Sequence, residues 1–140
     1  MNRKQIFVLA GAFLALIILL LALKWVFRPA SKTVQKEKPE FIFEASALVK
    51  EFETDEQTAN TLYLDKIIEV SGTVDDITED ETVIIVTLKD PGSISGILCS
   101  FDKSTVASEN FEKGEKIDVK GICTGYLMDV VLTKCAVTDE

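Results

Sequence analysis

The amino-acid sequence predicts a mainly β domain that follows a hydrophobic helix, and three observations support this fold class. An uncharged apolar run of eighteen residues, from Ile6 to Leu23, is followed by about a hundred residues, which is enough for one domain with a single core. Apolar residues then recur at helical spacing between residues 44 and 64. From Lys66 onward apolar and polar residues alternate, which is typical of half-buried strands.

The hydrophobic run predicts a membrane-spanning helix, because eighteen residues of α-helix extend about 27 Å, close to the thickness of a bilayer core. It is followed by two basic and two aromatic residues of the kind that settle at lipid headgroups, namely Lys24, Trp25, Phe27 and Arg28. A cleaved signal peptide is the alternative, with Arg3 and Lys4 as its basic region, but no small-x-small cleavage site follows. We therefore assign residues 1–28 to an uncleaved signal-anchor.

Charge divides the chain into two parts. Residues 1–39 contain seven basic residues and one acidic residue, a net charge of +6, whereas residues 40–140 contain eight and 22, a net charge of −14. Basic residues beside a membrane-spanning helix tend to stay in the cytoplasm. More of them follow the hydrophobic run than precede it, which favours a cytoplasmic domain, but this tendency weakens when a long segment follows the helix. We expect the acidic domain to lie on the extracytoplasmic (periplasmic) side.

Residues 29–43 predict a flexible basic tether, since they contain two prolines and few large apolar side chains before Phe41. The domain itself is assigned to residues 44–140. Its helical region has an apolar stripe that ends near Thr54, and a second stripe follows. Asp55 is a suitable N-cap for a second helix, so the region predicts one helix or two short ones.

Five short segments have strand character. They are IIEVSGTV from Ile67, TVIIVTL from Thr82, GILCSF from Gly96, KIDVKGICT from Lys116 and VVLTKCAV from Val130. In the first segment, Ile68, Val70, Gly72 and Val74 would face the core. Five strands with a longer connection between the third and the fourth match the OB-fold, a small Greek-key barrel. An SH3-like barrel or an open meander is the alternative.

The same segments resemble a known family. The stretches YLDKIIEVSGTV, VTLKD, ILCSF, EKGEKIDVKGICTGY and VVLTKCAV look like the tRNA-anti-like OB-fold family of small bacterial envelope proteins, many of them lipoproteins. The resemblance extends from about Ala47 to Val137. Its most specific residues are Tyr63, Lys66, Cys99, Phe101, Lys120, Gly121, Cys123, Thr124 and Gly125. It implies an OB barrel outside the cytoplasm and nucleic-acid binding. A transmembrane helix here replaces the lipidated cysteine.

Three cysteines occur, with no C-x-x-C spacing and no histidine in the chain. This composition gives no signal for a metal site and removes the commonest general acid-base near neutral pH, so we predict no metal, no cofactor and no enzymatic activity. If the last hairpin turns near Asp129, Cys123 and Cys135 would face each other and could form a disulfide. Otherwise all three, including Cys99, are small buried hydrophobes.

Two further sets of residues are candidates for a ligand or partner surface. Asp75 and Asp76 belong to an acidic segment that would join the first two strands, where OB-folds often contact ligands. The spacing does not match a calcium loop, so a solvated acidic turn is the simpler interpretation. Among the aromatic residues, Phe101 and Tyr126 are candidates for stacking, although Phe101 could fill the barrel and Tyr126 could be a solvated residue in the last loop.

These features together predict a membrane-anchored, non-catalytic OB-fold module that engages a protein or glycan partner. The alternative is a binder of single-stranded nucleic acid, which rests on the fold. We regard nucleic acid as disfavoured, because a domain with a net charge of −14 repels phosphate.

Overall fold

The computed structural model describes residues 2–26 and 34–138, which belong to two compact units, an N-terminal helix and a β domain. Helix α1 spans Arg3–Val26. It is long and apolar enough to cross a membrane, a property that it shares with signal sequences near an N-terminus. The predicted headgroup-facing side chains from Trp25 to Arg28, and the first part of the tether, lie outside the described residues.

The described part of the β domain contains six strands and two α-helices, with a short 3-10 helix (Ser108–Asn110) between β4 and β5. In chain order they are β1 (Phe41–Glu44), α2 (Ala45–Thr54), α3 (Glu56–Tyr63), β2 (Ile67–Glu79), β3 (Val83–Leu88), β4 (Ile97–Asp102), β5 (Lys116–Leu127) and β6 (Asp129–Val137). Strands β2 to β6 form a closed barrel in the order β2-β3-β4-β6-β5, and β5 pairs with β2. Only β4 and β6 are parallel within this barrel. This arrangement confirms the predicted OB-fold.

Both helices and the inward face of β2 agree with the sequence prediction. The helical region is divided at Asp55, whose carboxylate accepts a hydrogen bond from the backbone N–H of Thr58 at 3.1 Å. Hydrogen bonds from Thr58 lower the pKa of Asp55. Gly72 lies where β2 passes helix α2, and a Cβ there would be 2.9 Å from the Cβ of Ala45. Only glycine permits this close approach of helix and strand.

The predicted tether is too long at its C-terminal end. Residues 41–44 form β1, which pairs in parallel with β2. The rings of Phe41 and Phe43 contact Tyr63 edge-on, with centroids 5.0 and 5.5 Å away. Val34 is also buried. The assignment of residues 41–43 to a flexible segment was therefore wrong, because four residues are too few for their alternation to be recognised in sequence.

The register of the β5–β6 hairpin differs from the prediction. Leu127 pairs with Asp129, so the hairpin turns at Met128 rather than at Asp129. Two register shifts follow. The first places Cys123 opposite Leu132, and the second leaves Lys134 and Cys135 together opposite Gly121, which is a β-bulge in β6. The predicted opposition of Cys123 and Cys135 was therefore wrong, and all three cysteines are free and buried.

Candidate binding surface

The acidic residues between the first two barrel strands are part of the sheet rather than of a loop. Strand β2 continues to Glu79, and only residues 80–82 form the turn into β3. A bulge between Val74 and Asp76 lets the strand continue past Asp75. The Nζ atom of Lys113 lies 2.7 Å from the Asp76 carboxylate, and this hydrogen bond lowers the pKa of Asp76. The prediction that Asp75 and Asp76 lie in an acidic loop was wrong.

The carboxylate of Asp80 holds the β2–β3 turn together. Its Oδ1 accepts hydrogen bonds from the backbone N–H groups of Thr82 and Val83, at 2.8 and 3.0 Å. These bonds lower the pKa of Asp80. Glu79, beside it, lies 3.3 Å from the Nζ atom of Lys103. Asp80 and Glu79 thus contact groups of the domain itself.

Phe101 is a core residue. It is 1% exposed and packs against Phe111, with ring centroids 4.9 Å apart. It therefore offers no stacking surface for a ligand. Its position follows from the alternation of β4, in which Ile97, Cys99 and Phe101 face inward.

Tyr126 lies in strand β5 and not in the last loop, which corrects the sequence prediction. Its ring stacks on Phe52 of helix α2, with centroids 5.7 Å apart and planes 20° apart. Phe52 is fully buried, so Tyr126 connects the hairpin to the helical layer. One face of the tyrosine ring is thereby occupied within the domain.

The outward face of β3 and β4 is the surface that OB-folds often use for oligonucleotides. In this domain its outward positions are Val83, Ile85 and Thr87 in β3 and Leu98, Ser100 and Asp102 in β4. These described positions include neither an aromatic ring nor a cation. These six positions therefore offer neither a stacking platform nor a positive charge to a ligand.

Most lysines of the domain contact a carboxylate or a carbonyl oxygen. Residues 40–140 contain eight lysines, and four form ion pairs: Lys66 with Glu40, Lys103 with Glu79, Lys113 with Asp76 and Lys116 with Glu44. Lys120 is 8% exposed, and its Nζ atom donates to the carbonyl oxygen of Glu37 at 2.7 Å. The other three make no ion pair with any residue that the structure describes. Five of the eight lysines thus have a polar partner among the described residues.

The tip of the β5–β6 hairpin is apolar and exposed. Leu127 is 85% exposed and Met128 is 74% exposed. Met128 also has a positive φ of 72°, a left-handed conformation that is uncommon for methionine. The sequence places these residues in a turn but does not distinguish them from the half-buried Tyr126 beside them.

A groove of about 360 Å³ lies between helix α3 and this hairpin. Its lining residues are Glu56, Asn60, Leu64, Thr124, Gly125, Tyr126, Leu127 and Val131. The sequence analysis missed Asn60, Leu64 and Leu127, which come from segments far apart in the chain. The Oδ1 atom of Asn60 is buried without a hydrogen-bond partner among the described residues. We call this site the α3–hairpin groove.

Comparison with known proteins agrees with this fold. The tRNA_anti-like family model matches residues 1–137. The crystal structure of a lipoprotein from Klebsiella pneumoniae, to which nucleic-acid binding has been ascribed, has a TM-score of 0.59 and 18% identity, covering 80% of this chain and 100% of that chain. The yeast Stn1 and Ten1 structure has a TM-score of 0.46 and 16% identity, covering 79% of this chain and 70% of that one. No curated protein matches this chain.

At such identities the likeness to solved structures concerns the fold. The family model, in contrast, spans both the apolar helix and the barrel, since its match extends to the last residue of β6. The chain therefore belongs to the tRNA_anti-like family.

Proposed function

We propose that this protein is a membrane-anchored, non-catalytic binding module whose OB barrel engages a protein partner on the extracytoplasmic side of the membrane. The observation that carries the proposal is the exposed apolar pair Leu127 and Met128 beside the α3–hairpin groove. In this role helix α1 stays in the bilayer as an uncleaved anchor. Exposed apolar side chains that line a groove are typical of surfaces that bind other proteins.

Charge complementarity indicates the chemistry of the partner. The groove has apolar walls in Leu64, Leu127 and Val131, and among its described lining residues only Glu56 is charged. The surrounding domain carries a net charge of −14. We therefore propose that the occupant is a protein segment that combines apolar side chains with lysine or arginine, since such a segment is attracted by the acidic domain and buries apolar surface in the groove.

Nucleic acid is the competing ligand. It is supported by the OB-fold and by the function ascribed to the Klebsiella pneumoniae lipoprotein. It is opposed by the engaged lysines, by the outward face of β3 and β4 and by the acidic β2–β3 turn. A phosphate backbone that approached this turn would meet Glu79, Asp80 and Glu81. A glycan, in turn, usually stacks on exposed aromatic rings, and Tyr126 stacks on Phe52 instead.

The proposal can be tested by peptide selection on the full-length protein in lipid nanodiscs. Short random peptides displayed on phage are selected for binding, and oligothymidine is titrated separately at low salt. We expect the selected peptides to combine apolar and basic residues. Replacing Leu127→Asp together with Met128→Asp should weaken their binding by about tenfold or more, because it places charge in the apolar contact.

Ile94→Asp is the matched control, because Ile94 is 87% exposed but lies in the β3–β4 connection, away from the lining of the groove. It should leave peptide binding unchanged. Equal binding by the wild type and the double variant would contradict the proposed surface. Salt-sensitive binding of oligothymidine would favour the nucleic-acid alternative. A topology reporter fused after Glu140 tests the proposed compartment separately, and a cytoplasmic signal would contradict it.

A further inference from the structure

The helical wall of the α3–hairpin groove changes from charged to apolar along its length. Glu56, Asn60 and Leu64 all line the groove, and their spacing of four residues places them on one face of α3 and its C-cap. Two turns of helix separate the outer two, so Glu56 and Leu64 lie about 12 Å apart along the helix axis. This wall therefore has an acidic end and an apolar end.

The apolar end is formed where Leu64 meets the hairpin. A Cβ at Gly125 would lie 3.8 Å from the Cδ2 atom of Leu64, and Gly125 pairs with Val131 across the two strands. Because Gly125 has no side chain, it leaves room between Leu64 and Val131, which both line the groove. Leu64 is 38% exposed, so an apolar side chain of a partner would bury further apolar surface there.

The carboxylate at the acidic end differs from its neighbour in the chain. Both carboxylate oxygens of Asp55 accept hydrogen bonds from Thr58, Oδ1 from the backbone N–H at 3.1 Å and Oδ2 from the hydroxyl at 2.6 Å. Glu56 is exposed and makes no ion pair with any residue that the structure describes. A cation can therefore pair with Glu56 without breaking an internal ion pair of the described domain.

Screening by salt gives the nearest carboxylate the largest influence on which side chain is bound. The domain has a net charge of −14, but exposed charges are largely screened beyond about 8 Å at physiological ionic strength. An ion pair with Glu56 would be formed within about 4 Å and would be screened much less. The overall charge thus attracts a basic segment, whereas Glu56 can fix the position of its basic residue.

We propose that Glu56 is the specificity-determining residue of the α3–hairpin groove. Its carboxylate pairs with a lysine or arginine of the bound protein segment, while an apolar side chain of the same segment packs between Leu64 and Val131. The methylene stem of the basic side chain covers apolar surface of the groove. This inference rests on the proposed function, because it names the residue that orients the protein segment in that groove.

Charge removal and charge reversal test this role on the full-length protein in lipid nanodiscs. The probe is a phage-selected peptide whose binding is weakened by Leu127→Asp with Met128→Asp, and its affinity is measured by fluorescence anisotropy at physiological salt. We expect Glu56→Gln to weaken binding by about two- to fivefold, because it removes an exposed ion pair. Glu56→Lys should weaken it by about five- to thirtyfold, because repulsion replaces attraction.

Glu81→Lys is the matched control. It makes the same change in net charge, but it lies in the β2–β3 turn and does not line the groove. It should change the affinity by less than about twofold, because a distant exposed charge is screened. Equal weakening by Glu56→Lys and Glu81→Lys would overturn the role of Glu56, although binding that depends on Leu127 and Met128 would still support the proposed function.

A charge swap gives a readout that a change in stability alone would not produce. Each basic residue of the peptide is replaced with glutamate in turn. We expect one of these peptides to bind Glu56→Lys about fivefold or more tightly than it binds the wild type, the reverse of the original peptide. If no swapped peptide prefers Glu56→Lys, the inference is overturned. If no selected peptide depends on Leu127 and Met128, the proposed function fails, and the inference fails with it.

Discussion

The two hairpin turns β2–β3 and β5–β6 of the barrel differ in how their side chains are used. The β2–β3 turn is acidic, and the carboxylate of Asp80 is engaged by backbone amides within the turn. The β5–β6 turn is apolar, and Leu127 and Met128 are exposed. The carboxylate of Asp80 is thus explained by local structure, whereas the side chains of Leu127 and Met128 project into solvent. The β5–β6 turn, which has no cluster of charges in the sequence, is therefore the better candidate for binding.

The largest expected effect distinguishes two adjacent residues of the β5–β6 hairpin. Tyr126→Ala should lower the free energy of unfolding by about 2–4 kcal/mol, because it removes the ring that stacks on Phe52. Leu127→Ala should change it by less than about 0.5 kcal/mol, because Leu127 is exposed. Urea unfolding of the full-length protein in micelles, followed by circular dichroism, measures both. Similar losses for the two variants would mean that the hairpin tip is structural.

A second prediction concerns the base of the same hairpin. Gly121→Ala should lower the free energy of unfolding by about 1–3 kcal/mol, because the new Cβ would overlap the sulfur of Cys135 and approach the Cβ of Leu132 at 3.0 Å. The same urea unfolding measures the loss. Cys135→Ala in the Gly121→Ala background should recover part of it under reducing conditions, since it removes the overlapping sulfur. Full stability of Gly121→Ala would show that the bulge in β6 is not packed as described.

A third prediction concerns the apolar tip itself. Leu127→Asp with Met128→Asp should leave the free energy of unfolding within about 0.5 kcal/mol of the wild type, because both side chains are exposed. Any loss of peptide binding by this variant would then reflect the surface and not the fold. The measurement is urea unfolding beside the binding assay. A large loss of stability would mean that the exposed tip of the hairpin contributes to folding, as its packed base does.

The smallest expected effect lies in the acidic turn and depends on pH. The pKa of Asp80 is lowered in the folded state, so its charge stabilises the fold above the unfolded pKa, about 3.9, and this stabilisation is lost as the pH falls through the folded pKa. Asp80→Asn keeps an acceptor oxygen and removes the charge. Its thermal midpoint should lie slightly below that of the wild type at neutral pH.

This difference between the wild type and Asp80→Asn should close in acid, because the wild-type carboxyl is then neutral as well. Asp80→Ala removes the acceptor and should be less stable than Asp80→Asn at neutral pH. A higher midpoint for Asp80→Asn at neutral pH would instead mean that repulsion between the acidic residues outweighs the turn contacts.

The sequence was sufficient to predict the barrel and its helices, because these depend on apolar spacing. The inward face of β2 follows a period of two, and Asp55 is a recognisable N-cap between two stripes. The ends of the strands were not predictable in this way. Asp75, Asp76 and Glu79 are poor strand formers, and pairing with β3 extends β2 through them.

The hairpin register and the candidate site could not be predicted from short stretches of sequence, because they too depend on tertiary contacts. The bulge at Lys134 requires a left-handed lysine, which no sequence rule indicates, and it turns the Cys135 side chain inward over Gly121. Tyr126 and Leu127 are adjacent apolar residues, and only the packing of Phe52 decides which one is exposed. The α3–hairpin groove combines residues about 60 positions apart, so tertiary packing is needed to define it.

The most direct test of the account is to map binding on the full-length protein in micelles by the chemical shifts of its backbone amides. A selected peptide with apolar and basic residues should shift the amides of Asn60 to Leu64 and of Thr124 to Val131, and oligothymidine at low salt should shift none. If oligothymidine shifts the amides along the outward positions of β3 and β4, and peptide shifts none in the hairpin, the proposed binding of a protein segment at the α3–hairpin groove is contradicted.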